Sequence, residues 1–278
     1  MNILERILER TRADLAERKR RYTRAYLESM PYFGGPILDL ERALRQNGPM
    51  ALIAEIKPAS PSAGRIRSAP DVVSIATSYR LAGAAALSVL TEEPFFGGSL
   101  ENLRRIRPWV DVPLIRKDFI IDEFQLYEAR AFGADAVLLI ASILDRYQLQ
   151  DLLQAARGLG LGVLLELYSQ EELERVDFDA VRLIGVNNRD LRTFAVDLRH
   201  SVEILAHVPT HVLKVSESGI RSADDLWFLY QHNVEAALIG ESLMRAPDPG
   251  EALYRLRHDF YERLRQTSAE SLRHYVLG

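Results

Sequence analysis

Several features common in proteins are missing from this chain of 278 residues. It has no cysteine, which excludes disulfides, cysteine metal sites and cysteine nucleophiles. No apolar run approaches the roughly 18 residues of a membrane span, and the longest comparable stretch, 136–141, has only the length of a strand. There is no long basic run, and the formal net charge is −4. We therefore expect neither a nucleic-acid partner nor a membrane span.

Lysine is also scarce, because only four of the 35 basic residues are lysines. A lysine can lose its proton when it is desolvated and an arginine cannot, so a proton-transfer site cannot exchange one for the other. Lys57 and Lys117 each follow or close a short apolar run. These positions indicate that the two lysines are kept for chemistry rather than by chance.

Eight short apolar runs alternate with segments of helical spacing. They are 51–56, 86–90, 113–116, 136–140, 162–165, 183–186, 212–215 and 236–239. Runs without polar alternation are typical of strands covered on both faces, and eight strand–helix units in about 250 residues indicate a (β/α)8 barrel. A doubly wound open sheet is the alternative, but no Gly-x-Gly-x-x-Gly follows the first run.

We therefore predict an α/β fold, a single (β/α)8 TIM barrel over residues 46–278 with an N-terminal helical extension over residues 1–45. Gly83, Gly133 and Gly158 follow helical segments and are predicted to be left-handed residues at helix ends. Ser169 and Glu172 have the spacing of a capping box.

The extension has apolar residues at positions 3, 4, 7, 8 and 15, which is the spacing of an amphipathic helix. Acidic residues at positions 5, 9, 14 and 17 argue against a signal or transit peptide. We therefore expect a cytoplasmic protein, and a monomer, whose extension packs on the mouth or the floor of the barrel.

Ionisable and amide side chains recur where the apolar runs end, which is where a barrel carries its function. Glu55 and Lys57 are two residues apart and so share one face of a strand. Lys117 and Glu166, on other strands, can reach the same centre. A cationic acid and a carboxylate base facing one pocket would perform general acid–base catalysis, whereas the alternative for Glu55 and Lys57 is a structural ion pair.

Two glycine-containing turns follow the last two runs, at Ser218-Gly219 and at Gly240. The loops after strands seven and eight are the usual phosphate site of a barrel, so a phosphorylated ligand is expected. The Pro-rich stretch 58–64 is predicted to be a long mobile loop. Phe96 lies between Pro94 and two glycines, where it could face an aromatic ring of the ligand.

Seven stretches, in order, resemble the indole-3-glycerol-phosphate synthase family over essentially the whole chain. They are IAEIKPASPSAG (53–64), LSVLTEEPFFGGSLENL (87–103), IRKDFIIDEFQLYEARAFGADAVLLI (115–140), LLELYS (164–169), IGVNNRDL (184–191), VSESGI (215–220) and LIGESLM (238–244). The resemblance implies ring closure, decarboxylation and dehydration of 1-(2-carboxyphenylamino)-1-deoxyribulose 5-phosphate, in tryptophan biosynthesis, with no metal and no organic cofactor.

The resemblance also implies roles for individual residues. Lys117 would be the general acid of ring closure, and Glu166 the base that serves dehydration with Lys57. Glu55 would orient or tune Lys57. The remaining residues would complete the polar mouth (Asn187, Arg189, Glu217), bind phosphate (Ser60, Ser218, Gly219, Gly240) and form the wall for the anthranilate ring (Phe96, Phe119, Leu138).

One departure from the family pattern concerns Glu241, where some members have serine. An acid beside a phosphate would be repulsive, so its side chain is expected to turn away while its backbone N–H binds. Two alternatives remain for the function. One is another phosphate-binding barrel, such as phosphoribosylanthranilate isomerase, which uses a cysteine base that this chain lacks. The other is a non-catalytic barrel that only binds its ligand.

Overall fold

The computed structural model describes residues 2–190 and 193–277, with side chains as far as residue 267. Eight parallel strands form a closed barrel in which each strand pairs with its neighbours in sequence and the last returns to the first. The strands are Ala51–Ile56 (β1), Ala86–Leu90 (β2), Leu114–Lys117 (β3), Ala136–Ile140 (β4), Gly162–Leu167 (β5), Leu183–Asn187 (β6), Leu213–Glu217 (β7) and Ala236–Ile239 (β8). The predicted TIM barrel is confirmed.

Helices precede, connect and follow the strands. They are Ile3–Arg21 (α1), Arg24–Glu28 (α2), Leu40–Gln46 (α3), Val72–Leu81 (α4), Leu100–Ile106 (α5), Glu123–Ala131 (α6), Arg146–Gly158 (α7), Gln170–Leu173 (α8), Leu198–Leu205 (α9), Ala223–Gln231 (α10), Glu241–Arg245 (α11) and Pro249–Leu277 (α12). No helix in the described parts of the chain has the length and apolar character needed to cross a membrane.

The extension contacts both ends of the barrel. Ile7 of α1 is 3% exposed and packs in the same apolar cluster as the side chains inside the barrel. Leu40 and Leu44 of α3 belong to this cluster too, and Leu40 lies against the start of β5 at Gly162. The extension therefore supplies a roof from α1 and a floor from α3, because an open barrel end would leave apolar interior surface in water.

Three of the four local predictions about helix ends hold, and one is wrong. Gly83 and Gly133 have φ values of 91° and 88°, and Ser169 forms the capping box of α8. Helix α7, however, includes Gly158 as its last residue, and the left-handed residue is Gly160 with φ of 73°. Helical spacing locates the end of a helix only to within a residue or two.

The stretch after β1, predicted to be a long mobile loop, contains a short hairpin. Ala59–Ser60 pairs with Gly64–Arg65 in antiparallel fashion. The backbone N–H of Ala59 also donates to the carbonyl of Phe96, at 3.0 Å, so the hairpin is tied to the loop after β2. Proline in the stretch suggested irregular structure, but its flanking residues still supply the backbone donors of the hairpin.

The register of the barrel brings the polar strand ends to one rim. Lys117 lies opposite Leu90, Glu166 opposite Ile140, and Glu217 opposite Asn187. All eight strands of the barrel are parallel, so these positions share its C-terminal end.

Candidate active site

A cavity of about 480 Å³ occupies the C-terminal end of the barrel. Apart from Glu217, every residue predicted to catalyse or bind substrate lines it. The cavity is deep enough to hold a ligand of moderate size, and it lies where barrels place their functional sites.

The amine of Lys117 is at the centre of a group of carboxylates. Its Nζ lies 3.1 Å from Glu217 Oε2 and 3.5 Å from both Glu55 Oε2 and Glu166 Oε2. Burial alone would lower the pKa of Lys117, but the three acids outweigh it and raise the pKa well above its ordinary value. Lys117 is therefore a cation in the resting site.

Glu55 links the two lysines. Its Oε1 accepts from Lys57 Nζ at 2.8 Å, while Oε2 faces Lys117 and accepts from Ser88 Oγ at 3.1 Å. Burial favours the neutral carboxyl, but Lys57 and then Lys117 overcome it and lower the pKa of Glu55 to about 2. Glu55 is therefore ionised throughout the physiological range.

Glu217 lies beneath Lys117 and does not reach the cavity surface; its side chain is 1% exposed. Burial raises the pKa of Glu217 to about 8, the negative charge of Glu166 adds to this, and Lys117 opposes it. Glu217 Oε1 has no hydrogen-bond partner among the described residues. Burial thus makes Glu217 easier to protonate than the other acids, although it contacts the Lys117 amine at 3.1 Å.

Two glycines make room for these carboxylates. A Cβ at Gly240 would lie 2.6 Å from Glu55 Oε1, and a Cβ at Gly185 would collide with Glu217 Oε1. The sequence suggested Gly240 for phosphate binding, but the structure shows a second reason for glycine there, which is the close approach of an active-site acid.

Asn187 connects Glu166 to the next loop. Its Nδ2 lies 3.4 Å from Glu166 Oε1, and its Oδ1 accepts from the backbone N–H of Arg189 at 3.0 Å. Asn187 therefore orients the carboxylate of Glu166 and fixes the start of the loop that carries Arg189.

The turns after β7 and β8 lie side by side at one end of the cavity. Ser218 and Gly219 have φ values of 69° and 84°, so the chain bends sharply and exposes its backbone to the cavity. Ser242 Oγ donates to the carbonyl of Ile220 at 2.9 Å and joins the two turns. A non-glycine residue in the left-handed region, as at Ser218, is often found at functional sites.

Glu241 lines the cavity near these two turns, whereas its side chain was expected to turn away from them. Its Oε2 accepts from Arg189 Nη2 at 3.0 Å and its Oε1 from Arg245 Nε at 3.1 Å. The two arginines neutralise the acid, which removes the repulsion that the prediction was based on.

The opposite wall is apolar. The rings of Phe96 and Phe119 lie 5.9 Å apart in a tilted arrangement, and Leu138 from β4 extends the same surface. Ile3 and Leu4 of α1 cover it from above. The wall suits a flat aromatic group.

Sequence reasoning missed several lining residues. Ile3, Leu4 and Ile7 belong to the recognised amphipathic stripe of α1, but the stripe alone did not say which end of the barrel it covers. Arg221 and Arg245 also line the cavity. Arg245 lies one helical turn after Glu241, and this i, i+4 spacing is a signal that could have found it.

The described residues contain no group of three or more His, Asp or Glu side chains arranged to hold a metal ion. The three glutamates around Lys117 enclose an amine instead.

The comparison with protein families identifies the family of the chain. Residues 4–256 match the model of the family described as indole-3-glycerol phosphate synthase. The chain belongs to the indole-3-glycerol phosphate synthase family. It is accordingly an enzyme, a carboxy-lyase of tryptophan biosynthesis, and the alternatives of a different phosphate-binding barrel and of a non-catalytic barrel are set aside.

Individual members of the indole-3-glycerol phosphate synthase family are similar to this chain over most of their length. The enzyme of Salinibacter ruber is 48% identical over 259 residues, which cover 92% of this chain and 96% of that protein. The enzyme of Rhodopirellula baltica is also 48% identical, over 248 residues, which cover 89% and 96%.

Solved structures of other enzymes share the fold at low identity. The 3-hexulose-6-phosphate synthase of Salmonella typhimurium has a TM-score of 0.62 at 13% identity, covering 77% of this chain and 99% of that one. A thiamine phosphate pyrophosphorylase from Pyrococcus furiosus has a TM-score of 0.56 at 17% identity, covering 81% and 98%. These similarities show the barrel alone.

Proposed function

We propose that Lys117, Glu166 and Lys57 carry the acid–base steps that convert 1-(2-carboxyphenylamino)-1-deoxyribulose 5-phosphate into indole-3-glycerol phosphate, CO2 and water. The observation that supports this most directly is the buried amine of Lys117, within 3.5 Å of three carboxylates in a covered cavity. Such an arrangement holds a proton donor and a proton acceptor against the same ligand.

Ring closure needs an acid. The ring carbon that bears the carboxylate attacks the ketone carbon, and the ketone oxygen takes up negative charge as the C–C bond forms. Lys117, held as a cation, gives its proton to that oxygen because an alkoxide is a stronger base than an amine. A positioned acid of this kind accelerates a reaction by about 10²–10⁴-fold.

The later steps need a base. Loss of CO2 restores the aromatic ring, and the new hydroxyl must then leave with a proton from the neighbouring carbon. Glu166 accepts this carbon-bound proton while Lys57 protonates the leaving hydroxyl, so that water is released and the indole double bond forms. Glu55 keeps Lys57 oriented through their 2.8 Å contact.

Substrate binding is proposed to use the two ends of the cavity. The phosphate would lie against the turns at Ser218-Gly219 and Gly240 and against Ser60. The anthranilate ring would pack on the wall formed by Phe96, Phe119 and Leu138. The substrate is anionic and the chain has a net charge of −4, so the local cations Lys57, Lys117 and Arg189 have to provide the attraction.

All of these groups come from one chain, which supports a monomer as the active unit. The extension roofs the cavity, which supports a structural role for it. We also propose a cytoplasmic location. Light scattering at assay concentrations tests the first point: activity found only in a dimer fraction would contradict it.

The role of Lys117 is tested by Lys117→Met, which keeps the length of the side chain and removes the charge. We expect kcat, followed by the fluorescence of indole-3-glycerol phosphate, to fall by about 10²–10⁴-fold. Lys19→Met is the matched control, because Lys19 is an exposed lysine that pairs with Asp122 on the surface. A kcat close to that of the parent enzyme in a folded Lys117→Met variant would remove Lys117 from this role.

A further inference from the structure

A second charged cluster lies around the end of β3, where Arg116 and Glu128 do not line the cavity and Asp118 borders it. Arg116 is fully buried, and its guanidinium donates to Asp118 Oδ2 at 2.9 Å, to Glu128 Oε2 at 3.1 Å and to the carbonyl of Gln125 at 2.6 Å. Asp118 also accepts from Thr91 Oγ1. Arg116 and Asp118 are the two sequence neighbours of Lys117, so this cluster surrounds the backbone of the proposed acid.

The backbone of β3 is held unequally at its end. On the side of β2 the pairing continues to Lys117, and the backbone N–H of Thr91 donates to the carbonyl of Lys117 at 3.1 Å. On the side of β4, the pairing in the described chain ends with Arg116 opposite Val137. The side-chain contacts of Arg116 and Asp118, to Thr91 after β2 and to α6, therefore add support to this strand end.

The N-terminal helix completes this cluster. Arg116, Asp118 and Glu128 together carry one negative charge in excess. Arg18 of α1 donates from Nε to Glu128 Oε1 at 2.7 Å and brings the hydrogen-bonded set to neutrality. The nearby carboxylate of Glu92 is bound by the backbone N–H groups of its own loop. A buried carboxylate is stable only when its charge is matched, so docking of α1 and the order of the strand end depend on each other.

We propose that Arg18, acting through Glu128 and Arg116, is a positioning residue for Lys117. The extension then has two roles: its first turns roof the cavity, and its last turns hold the strand that carries the acid. This inference rests on the proposed role of Lys117.

The test compares Arg18 and Lys19, two neighbouring basic residues of α1 that each form an ion pair with an acid of the barrel. Arg18→Gln removes the charge that neutralises the cluster. Lys19→Gln is the control, because Lys19 Nζ contacts Asp122 at 2.6 Å and also ties α1 to the barrel, but it does not reach β3. A small displacement of a catalytic group is costly, so we expect about a tenfold lower kcat in Arg18→Gln and little change in Lys19→Gln. Arg18→Lys should recover most of the loss.

A double variant separates charge balance from helix docking. Arg18→Gln combined with Glu128→Gln cannot restore the ion pair between the two side chains, but it leaves Arg116 and Asp118 as a neutral pair. We expect kcat of the double variant to exceed that of Arg18→Gln alone by several-fold. Loss of the roof would instead raise KM equally in both variants.

Equal kcat values in Arg18→Gln and Lys19→Gln, or a double variant no faster than Arg18→Gln, would overturn the positioning role. Lys117→Met distinguishes this from failure of the mechanism. If Lys117→Met is inactive while Arg18→Gln behaves like its control, only the positioning role is lost. If Lys117→Met is active, the proposed mechanism itself is wrong.

Discussion

The two charged clusters on either side of the end of β3 differ in their cations. Inside the barrel, the lysines Lys57 and Lys117 face three glutamates; behind the strand, Arg116 and Arg18 face Asp118 and Glu128. Arginine keeps its proton and binds carboxylates through a planar fork, whereas lysine can give its proton away. Because the chain has so few lysines, this division indicates that the inner cluster transfers protons and that the outer cluster only keeps its charge.

The two clusters also differ in how fully their polar atoms are bound. Nε, Nη1 and Nη2 of Arg116 all donate hydrogen bonds. Inside the barrel, Glu217 Oε1 is buried without a partner in the described chain. A fully bonded buried network is rigid, and a partly bonded one can rearrange when a ligand arrives. The outer cluster is therefore suited to support and the inner one to chemistry.

The largest effects are expected when the lysine of the inner cluster and the arginine of the outer cluster are each replaced by the other type of cation. Lys117→Arg keeps the charge inside the barrel but removes the transferable proton, so kcat should fall by about 10²–10⁴-fold. Arg116→Lys keeps the charge behind the strand but loses hydrogen bonds to charged groups, so the free energy of unfolding should fall by about 1.5–3 kcal/mol. Kinetics and urea unfolding of both variants measure this; a larger loss of kcat in Arg116→Lys than in Lys117→Arg would contradict the division.

Removing α1 sharpens the comparison, because both clusters border this helix. Deletion of residues 2–22 takes away the apolar roof at Ile3, Leu4 and Ile7 as well as Arg18. We expect KM to rise about tenfold, the value of one or two buried apolar contacts, and kcat to fall as in Arg18→Gln. Unchanged KM in a folded truncation would show that the roof does not contact substrate.

The end point of this deletion matters. A deletion that extends through residue 40 also removes Leu40, which is 1% exposed in the floor of the barrel. We expect that longer variant to lose stability, since truncating a buried leucine costs about 2–5 kcal/mol. Thermal unfolding of the two truncations separates the roof from the floor.

The smallest expected effect concerns pH. Glu217 is neutral below its raised pKa of about 8 and, above it, adds a negative charge beside Lys117 and the anionic substrate. kcat/KM should therefore decline a few-fold as pH rises through 8. Glu217→Gln stays neutral, so its profile should lack this decline; a decline of equal size in the variant would assign it to another group.

The same pKa shift has a consequence for stability. A group whose pKa is raised in the folded state contributes stability that is complete below its unfolded pKa, about 4.3 for glutamate, and is lost as pH rises through 8. The parent enzyme should therefore lose stability relative to Glu217→Gln across this interval, as measured by urea unfolding at several pH values.

The sequence allowed prediction of the inner cluster but not of the outer one. Apolar runs that end in Lys117, Glu166 or Glu217 are visible as patterns, because parallel strands bring their ends together whatever the connecting helices do. Arg116 and Glu128 follow no such periodicity. Their partner Arg18 lies about a hundred residues away in sequence, and only packing of α1 on α6 and β3 brings the charges together.

Other differences have local causes. The side chain of Glu217 can lie below the cavity because Gly185, in the neighbouring strand, has no side chain to occupy the same space. The apolar pattern of one strand does not show what its neighbour leaves free. The side chain of Glu241 was expected to avoid phosphate, but Arg189 comes from a distant loop and balances it. In both cases a residue type was predictable and its neighbour across the barrel was not.

The missing methyl groups at positions 185 and 240 have a consequence for anyone who redesigns this enzyme. Neither glycine can donate, accept or transfer anything through a side chain, yet an alanine at either position would push a glutamate out of place. A mutational library restricted to chemically reactive side chains would overlook both positions. Allowing them to vary together with Glu55 and Glu217 would change the shape of the barrel's interior and its chemistry in the same step.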